Sequence, residues 1–595
     1  MKMPRLSRHF LFIYFCFFNY LIIVLLVKSK AAHLICIFLF LISRAAGQQL
    51  KDNSFFGFEN YQSVFFTPFV YSDFSFRFTP SELVLNKSFG KSITHSTFQF
   101  INRIDSHNID TLKAKSNVYL LLGTQKNQFL QVENFQKVSK YSKAYINYSS
   151  LASFGLQKNA LSKNRSFNLI YDYDKNKYRL NWELLVMSNN DGCSGGVVDS
   201  ILPRFYSKRD LQQLNVNLSN DFLKKKFFNI KINQNFSLFK SLDSTKSVDL
   251  FLSNEYSSFK YNYTGAGVSD YYSNVFYDSI STNDSVGYNW LTTNLGSCIK
   301  LKKIKTSLSL SQDNFMFHLQ DSSYSFVDYS VDLRLCYKSN KMDLKGGITK
   351  NISNNFRKYN QSIFANINYY FDKHFLSSFE YSIDVSSMNV PFIYQKNFSN
   401  HFTWNYDFKD PISKLAQQFN FSINKKINLE VKFTTFKNRV YLNEYIRPVV
   451  SSMSENLSSY KIVFNDTIGR FHLSDYAVFN YSNSKALPIP AIQNYFRLGY
   501  IFNMFKKNLK AESGVSVIYN DSWYATDYCP ALDDFYIQSV KKYDGIPVLN
   551  IFANFKIKAA TLFLKMERVN IGWISENNFQ RNGYPAPPRS EEHTS

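Results

Sequence analysis

The residues best suited to chemistry lie at Gly192-Cys193-Ser194-Gly195-Gly196, which fits the Gly-x-Ser-x-Gly pattern of a hydrolase nucleophile elbow. That motif needs a strand before the serine, a helix after it, and a histidine base within reach. Here Val197-Val198-Asp199-Ser200 and a polar stretch follow instead. The nine histidines are scattered, and no Ser/His/acid grouping can be assembled from their spacing. His318 and His374 read as polar or interfacial residues rather than bases. Of the six cysteines, Cys16 and Cys36 lie in an apolar leader, and Cys193, Cys298, Cys336 and Cys529 show no metal-ligand spacing. One loop-to-loop disulfide is an option in an oxidising compartment. The expectation is a chain that is not an enzyme, with no catalytic residue, no metal and no cofactor.

A second set of polar residues has a clearer context. Asn168, Asp172, Arg179, Asn181 and Glu183 alternate with Phe167, Leu169, Tyr171, Tyr173, Leu180, Trp182 and Leu184 across Ser166–Ser188. Side chains of a strand point to opposite faces with period two. The stretch is therefore a β-hairpin, turning at Asp174-Lys175-Asn176-Lys177, with one apolar and one polar face. Each arm is about ten residues long, the length a tilted strand needs to cross a bilayer. Leu169, Tyr171, Leu180 and Leu184 are expected to face lipid, and the five polar residues to face a lumen. Their charges would either screen solutes or form a structural ion-pair network.

The hairpin pattern repeats. Val118–Leu122 leads to Phe129–Val132. Val331–Tyr337 turns at Ser339-Asn340 and returns through Met342–Ile348. Ile363–Phe371 turns at Asp372-Lys373 into Phe379–Ile383, Phe402–Phe408 forms another face, and Leu549–Ile557 closes the series. Longer polar segments, read as loops, fall at Asn189–Asp210, Thr264–Asp284, Gln312–Phe326 and Tyr524–Tyr543. Short turns at one end and long loops at the other are the outer-membrane arrangement. At about 25 residues per strand and half-connection, 116–588 holds roughly 16 to 20 strands.

Composition agrees. The 595 residues are 18% aromatic, with 59 Phe and 41 Tyr, which suits two aromatic girdles. Mean hydropathy is −0.27, which excludes a bundle of membrane-spanning helices. The net charge of +24 raises nucleic acid as a partner, but no binding motif accompanies the dispersed lysines. Lys224-Lys225-Lys226 and Lys302-Lys303 are placed at turns and strand ends. Excess positive charge in the lumen or loops would favour anionic solutes or contact anionic lipid phosphates.

Residues 1–47 form a leader. Its second apolar run, Leu34–Ile42, precedes Ser43-Arg44-Ala45-Ala46-Gly47 and reads as a signal peptide cleaved after Gly47. Its first run, Phe10–Val27, is expected to be upstream sequence read from an early start. Residues 48–115 read as an N-terminal periplasmic or lumen segment. Residues 589–595, Arg-Ser-Glu-Glu-His-Thr-Ser, have no alternation and no apolar residue, and read as a non-native tail. The last strand is thus expected to lie near Thr561–Val569, with a seam where a further strand is missing.

Three stretches resemble the putative porin family of the Bacteroidota outer membrane. One runs from Tyr119 through Gln131-Val132-Glu133-Asn134-Phe135-Gln136 to Tyr171–Leu180. One is Asn189-Asn190-Asp191-Gly192-Cys193, where the family carries an Asn and a Glu-Asn-Gly-Gly loop. The third comprises Phe552–Lys558, Phe563–Asn570 and Tyr584-Pro585-Ala586-Pro587-Pro588-Arg589, with Pro588 replacing the family's Gly. The resemblance implies an outer-membrane β-barrel with pore activity in a Gram-negative bacterium. The expected fold is an all-β, antiparallel transmembrane barrel, and the expected function is passive diffusion of small hydrophilic solutes. Its partners would be those solutes, outer-membrane lipid and lipopolysaccharide, with a homo-oligomer as an option and nucleic acid excluded. The rival readings are a surface platform for adhesion or assembly, built on the long loops, and a barrel-embedded hydrolase.

Overall fold

The computed structural model describes residues 114–594 other than 124–126, 156, 199–207, 242–244, 321, 372–375, 425, 544, 546, 571–578, 582 and 586–589. The leader with its cleavage site, the 48–115 segment apart from its last two residues, His374, the Asp372-Lys373 turn and Arg589 therefore lie outside the described residues. The chain divides into two compact units, Met1–Gly57 with Thr467–Phe471, and Phe58–Asp466 with His472–Ser595. Of the first, the described part is the tip Thr467–Phe471, which turns on Gly469 at φ 62°. All that follows concerns the second.

Alternation becomes strand wherever it was read over the opening hairpin. Ser162–Lys175 pairs antiparallel with Tyr178–Cys193, in a register that places Asp172 across from Asn181 and Leu169 across from Leu184. The turn is Asn176-Lys177, with Asn176 at φ 55°. Asparagine enters this left-handed region at little cost because its side chain hydrogen-bonds locally. Successive strands continue the antiparallel ladder. Among the described residues one sheet collects 22 strands. Its first strand, Lys115–Gly123, pairs with Asn127–Lys137 on one side and with Ser590–Thr594 on the other. The sheet thus closes on itself as an antiparallel barrel, and no described helix is long and apolar enough to cross a membrane.

The strand number corrects the expected 16 to 20. Several turns take only two or three residues, as at 302–303 and 339–341, so each strand consumes less chain than assumed. The barrel's end is corrected too. Ser590–Thr594 is a strand, five residues of which pair with Phe563–Glu567 and three with Leu121–Gly123. Backbone pairing asks nothing of side chains, so a segment without alternation can close a ladder. An open edge in lipid leaves N–H and C=O groups unsatisfied at several kcal/mol each.

Two further expectations shift. Gln312–Phe326 is no long loop, because Ile304–Leu319 and Ser322–Lys338 continue through it and pair directly. Phe402–Phe408 is no wall strand, because only Thr403–Asn405 is extended, in a two-stranded ribbon with Lys396–Phe398. Both regions belong to the long-loop end. There Asp221–Lys240, Lys246–Ala266 and Ser281–Leu301 reach 20, 21 and 21 residues. A tilted crossing needs about 9–11, so their loop-proximal halves stand outside the hydrocarbon.

Parity divides the wall into two faces. Outward positions carry exposed apolar side chains such as Val186, Leu250, Leu295, Leu310, Leu335 and Ile363. The inward face of the long strands is tiered. Toward the loops it is aromatic, with Phe259, Tyr261, Tyr288, Trp290, Phe315 and Phe317 buried in one cluster. Toward the short turns it is polar. Loop residues complete the aromatic tier, as Val390, Phe392, Tyr394, Phe402 and Trp404 join the same cluster. A loop sheet of Val440–Leu442, Pro448–Val450, Asp527–Cys529 and Asp534–Tyr536 also stands at this end.

Candidate functional site: a barrel mouth packed with loops

The five residues proposed to line the interior all fall on the inward parity of the first hairpin. Two of them meet in a hydrogen-bonded row. Asn181 Nδ2 donates to Asp172 Oδ1 at 2.7 Å, Asn233 Nδ2 to Asn181 Oδ1 at 2.8 Å, and Ser253 Oγ to Asn233 Oδ1 at 2.6 Å. The row crosses four strands, and each link satisfies a polar group that the wall would otherwise strand. Asn168 is buried and faces Asn147 and Leu185. Glu183 faces Ile170 and Lys231. Arg179 leaves the group and pairs at 3.2 Å with Asp174 beside the turn, both well exposed, a contact of small energetic weight. Further along, Glu512 accepts from Arg497 at 2.8 Å and from Asn554 at 3.2 Å, with His472 Nδ1 at 3.0 Å.

The glycine-rich motif is structural. Ser194 is buried, and its Oγ accepts from Gln157 Nε2 at 2.5 Å and from the Gly196 N–H at 3.3 Å. Gly195 and Gly196 take φ of 64° and 83°, so the segment is a tight turn leaving the strand that ends at Cys193. Its hydrogen-bond partners among the described residues, Gln157 and Gly196, include no group that could act as a base. The four described cysteines are free thiols, so no disulfide ties the loops. Burial pushes the Cys529 thiol up to about 12, which leaves it inert. His318 bonds Asn289 and Ser323. Among the described residues no group of three His, Cys, Asp or Glu is placed to hold a metal.

The largest concentration of buried polar contacts lies where loops meet the inner wall. Lys225 corrects its expected place at a turn: it is in mid-ladder, across from Asn189 and Tyr261, and fully buried. Its Nζ donates to Asp533 Oδ2 at 2.6 Å, both side chains 0% exposed. Tyr528 donates to the other Asp533 oxygen at 2.7 Å. Burial raises the Asp533 carboxyl and the Lys225 ammonium opposes that rise. The neighbouring Asp534 accepts from Tyr394 at 2.5 Å, which joins two loops.

Two more anchors fix the other loops. Asn400 donates its N–H to Asp284 and its Nδ2 to Thr282, both at 2.9 Å. His401 Nδ1 bonds the Asn274 carbonyl, Nε2 bonds Thr282 at 3.0 Å, and the ring stacks on Tyr272 at 4.2 Å. Burial holds this imidazole below its ordinary value, the Asn274 carbonyl opposing. The loop at 352–360 sends in Arg357, whose guanidinium meets Asp313 and Asp328 and lies 4.9 Å from the rings of both Trp290 and Phe315. Planar guanidinium suits this combination of carboxylates and ring faces. At this end of the barrel the loops are therefore packed against the inner wall and hydrogen-bonded to it. Asp533, Arg357, Tyr394 and Asn400 were not found by sequence reasoning. Their partners lie far off in the chain, and no local pattern marks them.

Known proteins bear on the architecture. The barrel is similar to the FrpB iron transporter from Neisseria meningitidis (F5-1 variant), with a TM-score of 0.57, 11% identity and coverage of 82% of this chain and 83% of that one. It is similar to the closed form of the ferric-catecholate import receptor Fiu from E. coli K12, with a TM-score of 0.53, 10% identity and 81% of each chain covered. It also matches the pyoverdine outer membrane receptor FpvA from Pseudomonas aeruginosa PAO1, with a TM-score of 0.53, 10% identity, and 81% and 78% covered. At such identities the likeness is one of fold. No curated protein matches the chain. The family model described as "Putative porin" matches residues 53–591. With the closed antiparallel sheet, that match makes this an outer-membrane β-barrel of a Gram-negative cell, and the chain belongs to the putative porin family.

Proposed function

We propose that the protein is a porin-like channel for passive diffusion of small hydrophilic solutes, with a mouth that its own loops close. The observation that carries this reading is the polar inner row Asp172–Asn181–Asn233–Ser253 within a closed barrel of 22 strands. A sheet that large leaves a lumen, and side chains of this kind hold water rather than exclude it. Asn168, Asp172, Arg179, Asn181 and Glu183 would contact solute or its hydration shell. No step of bond chemistry is assigned. Outer-membrane lipid and lipopolysaccharide would surround the outward parity, and further copies of the chain could pack there. Single-channel recording of the refolded protein in a planar bilayer tests the reading. Discrete conductance steps support it, and a correctly folded but silent barrel refutes it.

A second reading has an observation of its own. Residues 267–280 expose Phe276, Tyr277 and Ile280 at 47%, 63% and 87%. The backbone beneath is held by Asn400, which accepts from the N–H groups of Tyr277 and Asp278 at 3.0 and 2.9 Å. Apolar side chains on a fixed loop suit a surface that docks another molecule. Binding of cells or surface proteins that is lost with Phe276→Ser and Tyr277→Ser would favour this platform role.

A further inference from the structure

The two ends of the barrel differ in exposed charge. At the loop end both signs stand exposed, with Asp270, Asp278, Asp407, Asp410 and Glu444 among lysines such as Lys409, Lys485 and Lys542. At the short-turn end the one exposed carboxylate among the described residues is Asp174, and Arg179 pairs with it at 3.2 Å.

Lysine is densest on three consecutive short turns. Residues 240–246, 300–305 and 338–341 hold eight lysines and one carboxylate, Asp243, which lies outside the described residues. These turns stand side by side. The Lys302 N–H donates to the Thr245 carbonyl at 2.7 Å, and the Lys338 N–H to the Lys303 carbonyl at 2.9 Å. The nearest described carboxylates along these strands, Asp249 and Asp343, are on the inward parity. Asp249 accepts from Ser237 and Ser247, and Asp343 stands across from Lys338.

Three of the lysines stand at the edge of the lipid-facing band. Lys246 is outward by parity, across from Leu301, which is itself across from Ile304. Lys302 and Lys303 form the turn between those two apolar residues. Leu250, Ile299, Leu301 and Ile304 are exposed on the outward face, so the three ammonium groups border hydrocarbon. A lysine stem lies along apolar surface while its head reaches the polar layer. All three are exposed, and none makes an ion pair among the described residues. Lys302 takes φ of 53°, a left-handed turn position at which asparagine or glycine costs less. Asn176 and Asn424 occupy left-handed positions in two other short turns.

We propose that Lys246, Lys302 and Lys303 form a binding surface for anionic phospholipids of the leaflet that the short turns reach. The inference rests on the barrel's place in the outer membrane and does not require that it conduct. Headgroup phosphate oxygens accept charge-assisted hydrogen bonds from ammonium groups. Lysines beside a membrane are drawn to an anionic lipid surface within a Debye length. A headgroup that carries its own ammonium offsets this gain, so the surface prefers a glycerol headgroup to a choline one.

Lipid sorting tests the proposal. The refolded full chain is placed in phosphatidylcholine vesicles with a trace of chain-spin-labelled phosphatidylglycerol or phosphatidylcholine. The motionally restricted part of each spectrum gives the association of that lipid with the protein. The expected ratio of glycerol to choline lipid exceeds one. It should fall toward one in about 1 M potassium chloride, where the Debye length is about 3 Å. It should also fall in Lys246→Gln/Lys302→Asn/Lys303→Gln, in which asparagine suits the left-handed position and protects the turn. Lys246→Arg/Lys302→Arg/Lys303→Arg should keep the ratio. So should Lys409→Gln/Lys485→Gln/Lys542→Gln, which removes the same charge from the loop end. A wild-type ratio of one, independence of salt, no effect of the turn triple, or equal loss in the loop-end triple would overturn the proposal.

Discussion

The wall from Asp221 to Lys338 and the wall around the seam are built by the same rule and end in different states. In the first, the 21 residues of Lys246–Ala266 pair with those of Ser281–Leu301 along their whole length. Its upper inner face is covered by packed loops. In the second, the first and last strands share three residue pairs, and a five-residue ladder joins Phe563–Glu567 to Ser590–Thr594. Crossing the membrane explains about half of the long wall's height. The remainder exists to meet the loops. The seam does the minimum that closure demands.

Breaking the long wall's contact with its loops should have the largest effect. Lys225→Met strands Asp533 as a buried, unpaired carboxylate, at a cost of about 3–5 kcal/mol. The expected outcome is early protease cleavage within 521–547, with much of the resistance restored in Lys225→Met/Asp533→Leu. Equal resistance of wild type and single variant would show that the ion pair holds nothing.

Next comes the membrane face of the shorter strands. Leu184→Arg should destabilise folding into vesicles by about 2–4 kcal/mol, against little for Asn181→Arg, three residues along the same strand and on its opposite face. Equal tolerance would reverse the face assignment. Smaller still is the contrast in local opening. Amides of Leu121–Gly123 and Phe563–Glu567 should exchange hydrogen before those of Phe259–Tyr263, because a short ladder opens at lower free energy. Uniform exchange would erase the distinction between seam and wall.

The smallest effect expected is on pH. Burial lowers the His401 pKa below its ordinary 6.5, so the folded loop prefers the neutral ring. Its contribution is complete above that value and is lost as pH falls through it toward the folded pKa. Cleavage within 389–411 should quicken from pH 7.5 to pH 5.5, and His401→Gln should flatten that dependence. A flat profile in the wild type would remove His401 as an acid-sensitive contact.

Much of the barrel was legible in the sequence because strand alternation is local. Leu169 and Asp172 announce their faces within a single hairpin, and family resemblance at Phe552–Lys558 pointed the same way. The mouth was not legible, since Lys225 meets its partner 308 residues away. A lysine in a run of three reads as a solvated turn until a distant carboxylate is brought to it. Phe402–Phe408 misled for a related reason. Aromatic alternation marks an apolar face, and that face packs on other loops rather than on lipid. The closing strand was hidden because Ser590–Thr594 contributes backbone pairing, which leaves no trace in residue type.

The central claim is a channel whose mouth is shut by loops anchored at Lys225–Asp533. It is tested most directly by recording wild type and Lys225→Met side by side in planar bilayers, after both are shown to be folded. The account predicts the same unit conductance for the two proteins, with the variant open for a larger share of the time. Silence from both folded proteins would contradict the channel. Indistinguishable open times would contradict the closure by loops.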